Sequence, residues 1–229
     1  MRARVFALPQ KHIVVDDFFD PEEQARALDE IRSLARHARA GAVLRDGAAV
    51  DTRALKRNCN VWLDDVWAGK RHRSTILRLF DERFRSAEIR RAMRRTGDLL
   101  FEYATYANAD CTLLSAYDVG DYYGDHHDEY PSIAANLMLC SSPKRFSGGD
   151  LYLGDDHAFD GARRTVRFGR IAFRSGRLVV FPCRARHRVG VVEATTATLP
   201  FADRRFSVQH WPMYAPASGT ERGPAGARR

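Results

Sequence analysis

The stretch SGRLVVFPCRARHRV, residues 175–189, decides how the second half of the chain is built. Leu178 to Phe181 is an apolar run of strand length, Pro182 cannot continue a central ladder, and His187 stands at the start of the next strand-like run. A short apolar strand, a proline turn and a second strand belong to an antiparallel sheet. The same texture extends from about residue 99, where short β-branched and aromatic runs are divided by Gly, Pro, Asp and Ser. Strands are predicted at 99–106, 111–118, 133–140, 150–153, 164–168, 170–174, 177–182, 187–193 and 204–211. That many strands after a helical first half predict an all-β core with helices (α+β): a sandwich or jelly roll with N-terminal helices packed on one sheet.

Upstream the periodicity is helical. Asp20-Pro21-Glu22-Glu23 offers an N-cap, a proline in the first turn and an acid three residues after the cap. Leu28, Ile31, Leu34 and Ala35 follow at helical spacing, which predicts a helix over 21–37. RAGAVLRDGAAV, 39–50, reads as a glycine-containing turn or hairpin. Ser74 caps a second predicted helix carrying Ile76, Leu77, Phe80 and Phe84, and a third is expected over 86–95. The expected organisation is one domain over 1–214, with 1–98 as helical support and 99–214 as the jelly-roll core. The Gly/Pro/Ala/Arg-rich tail APASGTERGPAGARR, 215–229, is expected to be disordered.

With 229 residues, 45% of them hydrophobic, the chain suits one buried core. No stretch reaches the roughly 18 apolar residues of a membrane span, and MRARVFALPQKHIVVDD lacks the apolar region of a signal peptide, so a cytoplasmic location is expected. Cys59, Cys111, Cys140 and Cys183 form no C-x-x-C pair and read as reduced thiols. The net charge of +8 comes largely from scattered arginines, including 163, 164, 167, 170, 174, 184, 186 and 188, which read as a solvated sheet face.

The chemistry centres on YYGDHHDEY, 122–130. Residues i and i+2 of a strand share a face, so either His126 with Asp128 or His127 with Glu129 can point inward together. Such a pair holds a divalent metal weakly without a third ligand. His157 lies in the loop-like GDDHAFDG and His210 in the strand-like RRFSVQHW, whereas His187 sits where a jelly roll returns a late strand beside an early one. His126, Asp128 and His187 are therefore a candidate two-histidine, one-carboxylate triad of the kind that suits non-heme Fe(II).

Tyr117 to Asp128, with a Y-x-x-G turn followed by Tyr, two residues and H-x-D, resembles the metal-binding region of the prolyl 4-hydroxylase-like Fe(II)/2-oxoglutarate oxygenases. FSGGDLYL (146–153), SGRLVVFPCRARHRV (175–189) and DRRFSVQHW (203–211) resemble three further family segments, in family order, so the likeness spans about 99–212. The resemblance implies a double-stranded β-helix and fixes the frame on His126 and Asp128, with His187 as third ligand. It also implies Fe(II), 2-oxoglutarate as co-substrate, dioxygen, and ascorbate as an accessory reductant. Arg205 would grip the distal carboxylate of 2-oxoglutarate, with Arg204 as runner-up. Tyr117 would donate its hydroxyl to it, and Asn136 would either face it or tie two strands together. Tyr123, Asp125, Glu129 and Tyr130 flank the mouth as substrate candidates.

The implied activity is hydroxylation of an unactivated C–H in an amino acid, short peptide or small metabolite, plausible in a biosynthetic pathway, with release of succinate and CO2. A protein or carrier-bound residue is the alternative. A nucleic-acid demethylase of the same superfamily would fit the charge, but RRFSVQHW lacks that group's R-x-N-x-T-x-R strand and no base-stacking aromatic cluster is seen. Outside enzymes, the alternative is a jelly-roll binding module.

Overall fold

The computed structural model describes residues 1–41, 55–128, 132–155 and 166–215, together with the backbone of 43–45 and 48–50. The chain opens with strands β1 (Arg2–Phe6) and β2 (His12–Asp16), then helix α1 (Pro21–Leu34). Strands β3 (Arg39–Ala40), β4 (Val43–Arg45), β5 (Ala48–Val50), β6 (Lys56–Arg57) and β7 (Cys59–Trp62) follow. Helices α2 (Leu63–Val66), α3 (Thr75–Phe84), α4 (Ala87–Arg95) and α5 (Leu99–Ala104) lead into β8 (Ala109–Tyr117), β9 (Tyr122–His126) and β10 (Ile133–Leu139). The chain continues through β11 (Ser147–Gly148), β12 (Leu151–Gly154), β13 (Phe168–Ile171) and β14 (Arg177–Pro182). It ends in β15 (His187–Val189), β16 (Val192–Glu193) and β17 (Arg205–Met213).

A large antiparallel sheet runs β1-β2-β14-β10-β17-β8-β7-β3 and a smaller one β13-β12-β15-β9-β6. Alternation along the large sheet divides the core in two. On one face Ile133, Ala135, Leu137 and Leu139 of β10, Leu178 and Val180 of β14, and Phe206 and Val208 of β17 pack under α1, α3, α4 and α5. On the other, Ala134, Met138, Val179, Phe181, Tyr117 and Trp211 meet Leu151, Leu153 and Val189 of the small sheet. This is the jelly roll with helices on one sheet.

The capping signals act as read. Asp20 accepts from Glu23 N at 2.8 Å while the Glu23 carboxylate accepts from Asp20 N at 2.9 Å, a reciprocal capping box. Ser74 accepts from Leu77 N at 3.1 Å at the start of α3. Residues 43–45 and 48–50 pair as a hairpin.

Four expectations need correction. The predicted strand 99–106 is helix α5, because Asp98 accepts from Leu100 N at 3.0 Å and caps a turn that buries Phe101 and Ala104, three residues apart. The first 98 residues are not helical support alone: β2 extends the large sheet beside β14, β7 pairs with β8, and β6 pairs with β9. HIVVD is a buried apolar run too short for a helix. The predicted strand 187–193 breaks at Gly190, where the Gly190 and Val192 amides donate to Asp150 O and Asp121 O and the two halves join different sheets. Of the two strands predicted over 164–174, the described part holds one, Phe168–Ile171. Residues 216–229 of the expected tail lie outside the described residues, as do His157, Arg163 and Arg164.

All four cysteines are free thiols. No helix among the described residues is long and apolar enough to cross a membrane. The arginines at 167, 170 and 174 keep half or more of their side chains in water. Arg188 lies between the rings of Tyr152 and Phe168. These belong to the outer face of the small sheet and the loops around it.

Candidate metal centre

His126 ends β9 and His187 begins β15, and the two residues are direct cross-strand partners. Asp128 lies two positions past the end of β9, held by its amide donating to Cys183 O at 2.8 Å. The three side chains converge inside the jelly roll, where one ligand atom of each lies within 4.8 Å of the others. Each imidazole Nε2 stands 3.8 Å from Asp128 Oδ1.

The local bonds set which atoms face the centre. His126 Nδ1 donates to Gly124 O at 2.8 Å, and His187 Nδ1 donates to Ala185 O at 2.8 Å. With those protons committed, both Nε2 atoms present lone pairs to the same point. Burial, and then the neighbouring His187, hold the His126 imidazole well below its usual pKa, which keeps it a neutral donor. Asp128 Oδ2 accepts from Trp211 Nε1 at 2.9 Å, leaving Oδ1 turned toward the histidines. Two imidazoles with Nε2 turned inward and one carboxylate on one side of a point are a donor set for a divalent transition metal with open positions opposite.

Pairing across β9 and β15 skips a residue. His126 faces His187 and Tyr123 faces Val189, so three steps on β9 match two on β15. This bulge lets Tyr123 share the inner face with His126, which regular alternation forbids, and their rings stack at 3.5 Å.

Deeper in the barrel Arg205 is fully buried. Its Nε donates to Gly149 O at 3.2 Å and its guanidinium lies 4.7 Å over the Tyr117 ring, yet both terminal nitrogens are buried without a partner among the described residues. The Tyr117 hydroxyl, with Asn58 and Ser115 as polar neighbours, is unpartnered as well, and burial raises its pKa. Gly149, at φ +66°, makes room: a Cβ there would stand 3.2 Å from Arg205 Cγ. A buried guanidinium fork beside a buried phenol fits a carboxylate, which would accept from all three donors. Arg204 points the other way and pairs with Asp118 Oδ2 at 2.6 Å.

The remaining candidates divide between the two faces of the sheets. Asn136 shares the interior face with Ala134 and Met138 and accepts from Ser207 Oγ, which ties β10 to β17. Asp125 pairs with Arg186 on the outer face of β9 rather than facing the histidines. Glu129 and Tyr130 lie outside the described residues. Two residues near the site carry no signal in the sequence. Nothing in the strand-like RRFSVQHW marks the Trp211 indole as a partner for a carboxylate, and Lys56 sits in a two-residue strand too short to show alternation.

No protein-family model matches the sequence, and no curated protein matches it significantly. Solved structures do match in shape. A prolyl-4-hydroxylase of Pseudomonas putida superposes with a TM-score of 0.57 at 15% identity, covering 89% of this chain and 92% of its own. A prolyl hydroxylase of Trichoplax adhaerens, solved with a hypoxia-inducible-factor peptide fragment, gives 0.58 at 15% identity, over 88% and 83%. A 2OG-Fe(II) oxygenase family oxidoreductase of Burkholderia pseudomallei gives 0.50 at 18% identity, over 87% and 83%. At these identities the likeness is one of fold, and that fold is the double-stranded β-helix that these three solved oxygenases share.

Proposed function

We propose that the protein is a non-heme Fe(II)/2-oxoglutarate-dependent dioxygenase that hydroxylates an unactivated C–H of an amino acid, short peptide or small metabolite, releasing succinate and CO2. The observation that carries this reading is the pairing of two features in one interior: the His126, Asp128 and His187 ligand atoms within 4.8 Å of one another, and the unpartnered buried guanidinium of Arg205. A metal site alone would suit many proteins. A metal site facing a buried anion anchor suits a dicarboxylate co-substrate.

In this reading His126, Asp128 and His187 hold Fe(II). Arg205 and Tyr117 grip the distal carboxylate of 2-oxoglutarate. When bound, iron and 2-oxoglutarate together activate dioxygen for attack on the substrate C–H. The chain's own work is placement. The Gly124 and Ala185 carbonyls fix the imidazole orientation, and Trp211 fixes the carboxylate. Phe181 packs edge-on against His187 at 4.8 Å and shields that wall from water. Tyr123, stacked on His126, lines the substrate side. A peptide or protein residue is the second reading, supported by the peptide fragment held by the Trichoplax neighbour.

Anaerobic titration with Fe(II) and 2-oxoglutarate tests the reading through the weak visible charge-transfer band of the complex. The band is expected in the wild type, absent in His126→Ala and retained in His127→Ala. No band in the wild type removes the oxygenase assignment, and the reverse pattern in the two variants shows that the other frame holds the metal.

A further inference from the structure

Lys56 is a lysine where a jelly roll has little reason to keep one. It pairs directly with Tyr123 across β6 and β9, so its side chain enters the barrel on the same face. The residue is only 6% exposed. Its ammonium lies 4.5 Å from the centre of the Tyr123 ring, and that ring stacks on His126. The charge therefore stands one aromatic ring away from a candidate metal ligand.

Its partners do not satisfy it. In the amide orientation that satisfies both of its polar atoms, Asn60 accepts from Lys56 Nζ at 3.0 Å and donates to Ser115 Oγ at 2.9 Å. Ser115 in turn donates to Gln209 Oε1 at 3.2 Å, giving a polar row across β7, β8 and β17 on the interior face. No carboxylate among the described residues forms an ion pair with the ammonium. Asp128 is the acid it senses, and that carboxylate belongs to the metal centre. Buried lysines are rare unless paired, because an uncompensated interior charge is costly. Burial pushes this one down to about 8, with Asp128 opposing the shift.

We propose that Lys56 is the anion-binding residue of the substrate pocket and that the substrate carries a carboxylate, held on the Tyr123 side of the metal. An ammonium has three donors, and Asn60 takes one. The two that remain match one carboxylate. A phosphate dianion would bring more charge than this single cation answers. The inference rests on the oxygenase reading and deepens it: Arg205 would anchor the co-substrate, and Lys56 would select the substrate.

The test uses the intact chain loaded with Fe(II) and 2-oxoglutarate under argon. Isothermal titration compares N-acetylglycine, N-acetyl-L-proline and N-acetyl-L-phenylalanine with their primary amides. At least one acid is expected to bind about tenfold more tightly than its amide, the scale of one charge-assisted contact. Lys56→Met should erase that preference and Lys56→Arg should keep it, with the visible band and its half-saturating 2-oxoglutarate unchanged in both. Equal binding of acids and amides by the wild type, or an acid preference that survives in K56M, overturns the proposal. A raised 2-oxoglutarate requirement in K56M with the preference intact would put the ammonium on the co-substrate and overturn it too. Absence of the band from the wild type counts against the oxygenase reading instead, and the acid–amide comparison still decides the role of Lys56.

Discussion

Arg204 and Arg205 are neighbours in the chain with opposite fates. Arg204 reaches a surface loop and pairs with Asp118, while Arg205 enters the barrel and keeps two terminal nitrogens without partners. Strand alternation makes that choice: Arg205 shares the inner face with Ser207, and Arg204, one position earlier, cannot. The expected consequence is asymmetric. Arg205→Met should raise the half-saturating 2-oxoglutarate concentration by about 100-fold or more, since two parallel charge-assisted bonds are lost. Arg204→Met should leave it near the wild-type value. Titration of the visible band in both variants checks this, and a larger effect at 204 would reverse the assignment. The candidate metal cluster was legible as a group: H-x-D and a late histidine stand in the letters, and the fold brings them together. Lys56 was not, because nothing within KRNCNVW says which residue faces inward until β6 is seen beside β9.

Among elements, helices α1, α3 and α4 were the easiest to read, since they carry start signals in Asp20, Ser74 and Ser86. After residue 109, β8, β10, β12, β14 and β17 were legible as strands, where alternation and turn residues coincide, whereas β9 was not among the strands expected. Leu99–Ala104 misled because LLFEYA is apolar and aromatic enough for a strand, and only its cap at Asp98 separates the two readings. The β9 bulge was invisible, since an extra residue on one strand shows only against its partner. It nevertheless sets the site. An alanine inserted after Gly124 would put a second surplus residue ahead of His126 and change its phase against β15. Such a variant should keep every ligand and lose the Fe(II)·2-oxoglutarate band while remaining folded by circular dichroism. Retention of the band would show that the bulge does not control the ligand frame.

At the scale of the whole molecule, the helix layer is joined to the large sheet through His210. Its ring stacks on Phe80 at 4.6 Å and bonds Thr112 Oγ1 at 3.1 Å, and burial drives its pKa down to about 4. The folded-state pKa lies below the unfolded value of about 6.5, so the unfolded chain binds the proton first as pH falls. This contribution to stability is complete above about pH 6.5 and is lost progressively toward pH 4. His210→Phe should therefore flatten the fall in unfolding free energy between those limits, measured by urea denaturation at several pH values. An unchanged pH slope would mean that His210 is solvated in the native state. The first strands carry a different consequence. Val15 pairs with Leu178, more than 160 positions later. At roughly 5–20 residues per second, a ribosome needs on the order of 10–30 s to supply that partner. Throughout that interval the β2 edge that will receive β14 stands unpaired, and an unpaired strand edge is a template for non-native pairing until the barrel closes.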